Sequence, residues 1–135
     1  MRQTLIGTII CAVVLTALLV MPMPGTHVRR GYLREFGLRS PRHAVADVVG
    51  NVAVFVPLGW GLHRVLRLLR LFRDTPTIIT VAGTVALYSL TMETVQYFLP
   101  TRYSSIIDVV ADTAGGSLGA WIEGVTAAVR EPCGR

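Results

Sequence analysis

Leu5-Ile-Gly-Thr-Ile-Ile-Cys-Ala-Val-Val-Leu-Thr-Ala-Leu-Leu-Val-Met21 carries no charge, and the uncharged stretch around it reaches from Gln3 to Thr26. It sits at the short end of the roughly 20 apolar residues that a helix needs to cross a bilayer core. Pro22 and Pro24 stop it. A cleaved signal peptide is the rival reading, since Arg2 precedes the run. The exit, Leu-Leu-Val-Met-Pro-Met-Pro, offers no small-x-small cleavage site. The composition agrees with a membrane span. Only 16% of the 135 residues are charged, against roughly 25% in a soluble domain, and the mean hydropathy is +0.55. Disorder is excluded by the apolar content. A disulfide scaffold is excluded by two cysteines, Cys11 and Cys133, at opposite ends.

Three further apolar stretches follow. They run from about residue 44 to 62 with Asp47, Asn51 and Pro57, from about 76 to 98 with Glu93 and Gln96, and from about 105 to 129 with Asp108, Asp112 and Glu123. Soluble helices show a polar face along their whole length, and these do not. The chain therefore reads as an all-α, four-helix membrane bundle forming a single domain. The connections are an arginine-rich loop (22–43), a basic connector (63–75) and a tight hairpin (99–104). All 13 basic residues are arginine and the net charge is +5. A basic soluble protein would suggest nucleic acid, but here the charge belongs to the connections of a membrane protein, and no nucleic-acid partner is expected. Four spans put both termini on one side, with seven arginines against six on the other. The α-amino group tips that balance towards cytoplasmic termini.

The polar residues gather at the end holding the first loop and the hairpin. Asp47 and Asn51 open the second span, Glu93 and Gln96 close the third, and Asp108 and Asp112 open the fourth. Each pair shares a helix face at i,i+3 or i,i+4. Arg102, in the hairpin, is the one arginine near Glu93, Asp108 and Asp112. It can serve one carboxylate bidentately, leaving at least one for a proton, a cation or a substrate. The face of Asp108 and Asp112 continues through Gly115 and Gly119, a small-x-x-x-small spacing that lets another helix approach closely. Ser105 and Asp108 also fit a capping box, a purely local role. Glu93 has no such local explanation: it follows 17 uncharged residues, Pro76 to Met92. Pairing of Glu93 or Asp112 with Arg102 for structure alone stands as an equal alternative to a functional site.

Asn51, Phe55, Pro57 and Gly59 lie in Asn-Val-Ala-Val-Phe-Val-Pro-Leu-Gly. Glu93-Thr-Val-Gln96, Pro100-Thr-Arg102, Ser105-Ile-Ile-Asp108, Gly115 and Gly119 follow. Together these resemble the VanZ-like family of small integral membrane proteins, over about residues 47 to 119. One departure is Asp112, where that family usually has asparagine, which adds a negative charge to the site. The resemblance implies a bacterial cell-envelope setting in the plasma membrane. The family's namesake is associated with low-level resistance to the glycopeptide teicoplanin.

Other chemistry finds no support in the sequence. His27, His43 and His63 show no metal-ligand spacing, so neither a metal nor a cofactor is expected. No nucleophile elbow, P-loop or dinucleotide fingerprint occurs. Ser104 and Ser105 have no histidine within the hairpin, and helix capping accounts for Ser105. Cys11 reads as a small apolar filler. Arg64, Arg67, Arg70 and Arg73 recur at every third position. They exit the membrane rather than cross it, and read as a basic amphipathic extension attracted to anionic lipid.

Three functional readings follow. The leading one is a binding or modulating protein that holds a lipid-linked or envelope ligand at Asn51, Glu93, Gln96, Arg102, Asp108 and Asp112. Pro57, Gly59, Gly115 and Gly119 pack the helices that carry them. The second is an intramembrane enzyme on a lipid-linked substrate, with Glu93 or Asp112 as acid or base. The third is a structural or assembly subunit. Membrane lipid is the expected partner in each, and oligomeric state is left open.

Overall fold

The computed structural model describes residues 2–21, 41–69, 77–99 and 105–130, with side chains from residue 45 onward in the second segment. Its elements are α1 (Arg2–Val20), α2 (Pro41–Leu68), α3 (Thr77–Tyr97) and α4 (Ile106–Arg130), with no strand among the described residues. The protein is an all-α four-helix bundle. Helices α1, α2 (from Val45) and α3 are each long and apolar enough to cross a membrane. Helix α4 is about 37 Å long at 1.5 Å per residue. It carries Asp108, Asp112 and Glu123, two of which it buries against the other helices.

Helix α1 is apolar on every side and buries only Leu15. Helix α2 begins with Pro41, whose missing N–H costs nothing in the first turn. It does not end near residue 62 but continues to Leu68. No glycine or proline interrupts it after Gly61, Leu66 is buried, and the Arg64 guanidinium stacks 5.4 Å over the Trp60 ring one turn back. Its 28 residues span about 42 Å, more than the roughly 30 Å hydrocarbon core. The first arginines of the basic connector are therefore helical.

The helices alternate in direction. α3 and α4 form an antiparallel hairpin in which Ser89 meets Asp112 and Glu93 meets Ser105. α2 and α4 run parallel and share the most extensive interface. α1 packs against α2 and α3 and makes no interface with α4 among the described residues. The α2–α4 interface is backbone on backbone. A Cβ on Gly59 would run into the Gly116 carbonyl, one on Gly115 into the Val52 carbonyl, and one on Gly119 into the Val56 carbonyl. Where lipid gives no hydrophobic drive, such close approach supplies the dispersion that holds helices together. Pro57 lies inside α2 on an exposed face, away from this seam.

The burial pattern is that of a chain in lipid. Large apolar side chains such as Ile6, Ile10, Val13, Leu87, Val110 and Trp121 point outward. The interior holds Phe55, Leu58, Val81, Val85 and Ala120 together with His63, Ser89, Glu93, Gln96, Asp112 and Glu123. Water would not tolerate so much exposed apolar surface. Threonine and serine hydroxyls hide their polarity by bonding carbonyls one turn back, as Thr8, Thr16, Thr84, Thr91, Thr94, Thr113 and Ser117 do.

Candidate functional site

One end of the bundle holds the C-termini of α1 and α3 and the N-termini of α2 and α4. Asn51, Glu93, Gln96, Asp108 and Asp112 all lie toward that end, but they do not form one continuous cluster. Each of the three buried ones has its own partner.

Glu93 is buried on α3, and its Oε2 accepts the backbone N–H of Ser105 at 2.6 Å. Ser105 is the N-cap of α4, and its hydroxyl accepts the N–H of Ile107 at 3.2 Å. In a capping box the N-cap N–H is taken by the acid three residues on, here Asp108. In this structure a glutamate from the neighbouring helix takes it. Glu93 thereby places a carboxylate at the positive end of α4, where the helix dipole favours it. Asp108 itself is half-buried in the first turn.

Gln96 is buried one turn further along α3. Its Nε2 donates to the carbonyl of Leu19 at 3.1 Å, satisfying one of the orphan carbonyls at the end of α1. Tyr88 adds a second tie between these helices, with its hydroxyl 2.7 Å from Thr16 Oγ1 and 3.3 Å from the Ala12 carbonyl.

Asp112 lies deeper, 3% exposed, and Ser89 Oγ donates to its Oδ2 at 2.6 Å. Its Oδ1 is buried and has no hydrogen-bond partner among the described residues. One turn on, Gly115 presses against the Val52 carbonyl of α2. Asn51, the residue before Val52, is half-buried there, and Asp47 is exposed a turn earlier. Arg102, the expected counter-charge, lies outside the described residues, as do the arginines of the first loop up to Arg39.

Two features were missed in the sequence. Ser89 is the partner of Asp112. It lies four residues before Glu93 on the same face of α3, a spacing that could have revealed it. His63 and Glu123 are both buried at the opposite end of the α2–α4 seam. The parallel register of the two helices sets the His63 imidazole against Gly124, the residue after Glu123, and no local spacing announces it.

No group of three or more histidine, cysteine or acidic side chains placed to hold a metal ion occurs among the described residues. No curated protein and no solved structure matches the chain. A family model described as VanZ/LLP1 matches residues 6–125, from the first turns of α1 to the last turns of α4. With the match covering the whole bundle, this chain belongs to the VanZ/LLP1 family.

Proposed function

We propose that this VanZ-like membrane protein binds or modulates a cell-envelope or lipid-linked ligand at the end of the bundle that carries Asp112. The observation that supports this reading is the buried Oδ1 of Asp112, which has no hydrogen-bond partner among the described residues. A buried acceptor without a donor costs about 1–3 kcal/mol, and a ligand amide or hydroxyl would relieve that cost. Asn51, Asp108 and Arg102 are the further polar groups assigned to this end. With cytoplasmic termini in a bacterial plasma membrane, the site faces the extracytoplasmic side. That is where a lipid-linked wall precursor and a teicoplanin-type glycopeptide meet.

The test is Asp112→Asn and Asp112→Leu, each assayed in parallel for folded yield and for glycopeptide susceptibility of cells that depend on the protein. Normal yield with altered susceptibility supports the site. Normal yield with unchanged susceptibility in both variants removes it.

A structural or assembly role is the second reading. It is favoured by Glu93 and Gln96, whose bonds to Ser105 and Leu19 join helices. The enzyme reading has less support, because Glu93 Oε2 is engaged by a backbone N–H rather than offered to a substrate.

A further inference from the structure

The carboxyl of Asp112 is held by one oxygen. Ser89 Oγ donates to Oδ2, while the buried Oδ1 has no hydrogen-bond partner among the described residues. The spans themselves offer no counter-charge. No arginine, lysine or histidine occurs from Gln3 to Met21, Val45 to Leu62, Thr77 to Leu99 or Ser105 to Val129. Asp112 lies about 9 Å beyond the first residue of α4. Deeper in the bundle the α2–α4 seam is closed, because a Cβ on Gly115 would already meet the Val52 carbonyl. Toward the end of the bundle the acids become steadily more exposed. Asp108 is half-buried one turn nearer that end on the same helix face, and Asp47 is exposed near the start of α2.

Two things are missing at Oδ1, a donor and a positive charge, and a buried charge left uncompensated is the larger cost. A ligand amide or hydroxyl supplies the donor and leaves the charge. A metal ion supplies the charge but asks for several oxygens. No group of three or more acidic, histidine or cysteine side chains is placed for one among the described residues. A guanidinium binds best across both oxygens of a carboxylate, and Ser89 already holds Oδ2. A primary ammonium brings its charge and its N–H donors to a single oxygen. Resting on the reading of this end as a ligand site, we propose that the ligand group bound at Asp112 is a primary ammonium. Its N–H donates to Oδ1 while Ser89 holds Oδ2, and no covalent bond is made or broken.

The test is thermal unfolding of the purified full-length protein in non-ionic detergent, for the wild type, Asp112→Asn and Arg102→Gln. The probes are dodecylammonium, methylammonium, dodecyltrimethylammonium (charge without N–H) and dodecanol (a donor without charge). Dodecylammonium is expected to raise the wild-type midpoint by about 3 °C or more and to leave Asp112→Asn unmoved. Dodecyltrimethylammonium and dodecanol are expected to act alike on both proteins. A matching methylammonium effect assigns the amine to a water-borne ligand, and an effect of dodecylammonium alone assigns it to a membrane-borne one. Equal dodecylammonium shifts with and without Asp112, or an equal wild-type shift from the quaternary amine, overturn the proposal. So does the absence of any wild-type shift, the result expected of a neutral, protonated Asp112. A shift confined to Arg102→Gln gives the counter-charge to Arg102 and overturns it as well. Where a variant fails to fold, the comparison of the two long-chain cations on the wild type decides. If Asp112→Asn alters glycopeptide susceptibility while the ammonium shift is missing, the ligand site stands and its ammonium ligand falls. If both effects are missing, both fall.

Discussion

The carboxylate of Glu93 caps a helix to which it does not belong: its Oε2 takes the N–H of Ser105, the residue that starts α4. A buried acid at membrane depth thus has a backbone N–H among its partners, and that bond ties the end of α3 to the start of α4. Glu93→Ala leaves the Ser105 N–H without this acceptor and is expected to cost about 0.5–2 kcal/mol, the range of a lost N-cap. Glu93→Gln keeps an acceptor oxygen and should retain most of that stability. Thermal unfolding of both variants in detergent checks this. Equal losses would show that the charge, not the hydrogen bond, matters.

The Ser89–Asp112 pair makes a second prediction. Ser89→Ala removes the one donor that Asp112 has among the described residues and should destabilise by about 1–3 kcal/mol. Asp112→Asn keeps an acceptor for Ser89 and removes the buried charge, so it should be at least as stable as the wild type. In the Asp112→Leu background, Ser89→Ala should cost much less than in the wild type, which a double-mutant cycle measures.

Glycine positions separate seam from surface. Gly59→Ala and Gly119→Ala each drive a methyl into the backbone of the facing helix and should cost about 1–3 kcal/mol. Gly50→Ala and Gly83→Ala meet nothing within 4 Å and should be neutral or gain a few tenths from helix propensity. If all four behave alike in chemical unfolding, the backbone contact between α2 and α4 is wrong.

Helix α1 is expected to be the loosest member. Among the described residues its polar ties to the other helices are the Tyr88 hydroxyl and Gln96 Nε2. Cys11 is half-buried against the core cluster, which makes it a reporter. In a Cys133→Ser background, Tyr88→Phe combined with Gln96→Leu should raise the maleimide labelling rate of Cys11. An unchanged rate would mean that apolar packing alone holds α1.

The sequence makes the helices legible because lipid forces each to be apolar on the outside, and that signal is local. The spacing of Gly115 and Gly119 is equally local, and it identifies a face made for close packing. What that face meets is not local. Gly59 and the Val52 and Val56 carbonyls lie some sixty positions earlier, and only the parallel register of α2 and α4 brings them there. Ser105 and Asp108 satisfy a capping box on their own, so nothing nearby signals that Glu93 takes the N–H instead. The true end of α2 was hidden in a different way. The arginines that mark the membrane boundary are also good helix formers, so charge ends the span without ending the helix.

The glycine seam also bears on how the bundle is made. Helix α4 is synthesised after α1–α3, and with its three acids it lies outside the set of helices apolar enough to cross on their own. The notch along Val52, Val56 and Trp60 of α2 is the shelter that α4 enters. Insertion of α4 is then an act of folding rather than of partitioning into lipid. In the full chain, Gly119→Leu closes that shelter without changing the polarity of any other helix. It should leave α1–α3 resistant to alkaline extraction while exposing α4 to protease, whereas an α4 that remains protected would show that it enters the bilayer unaided.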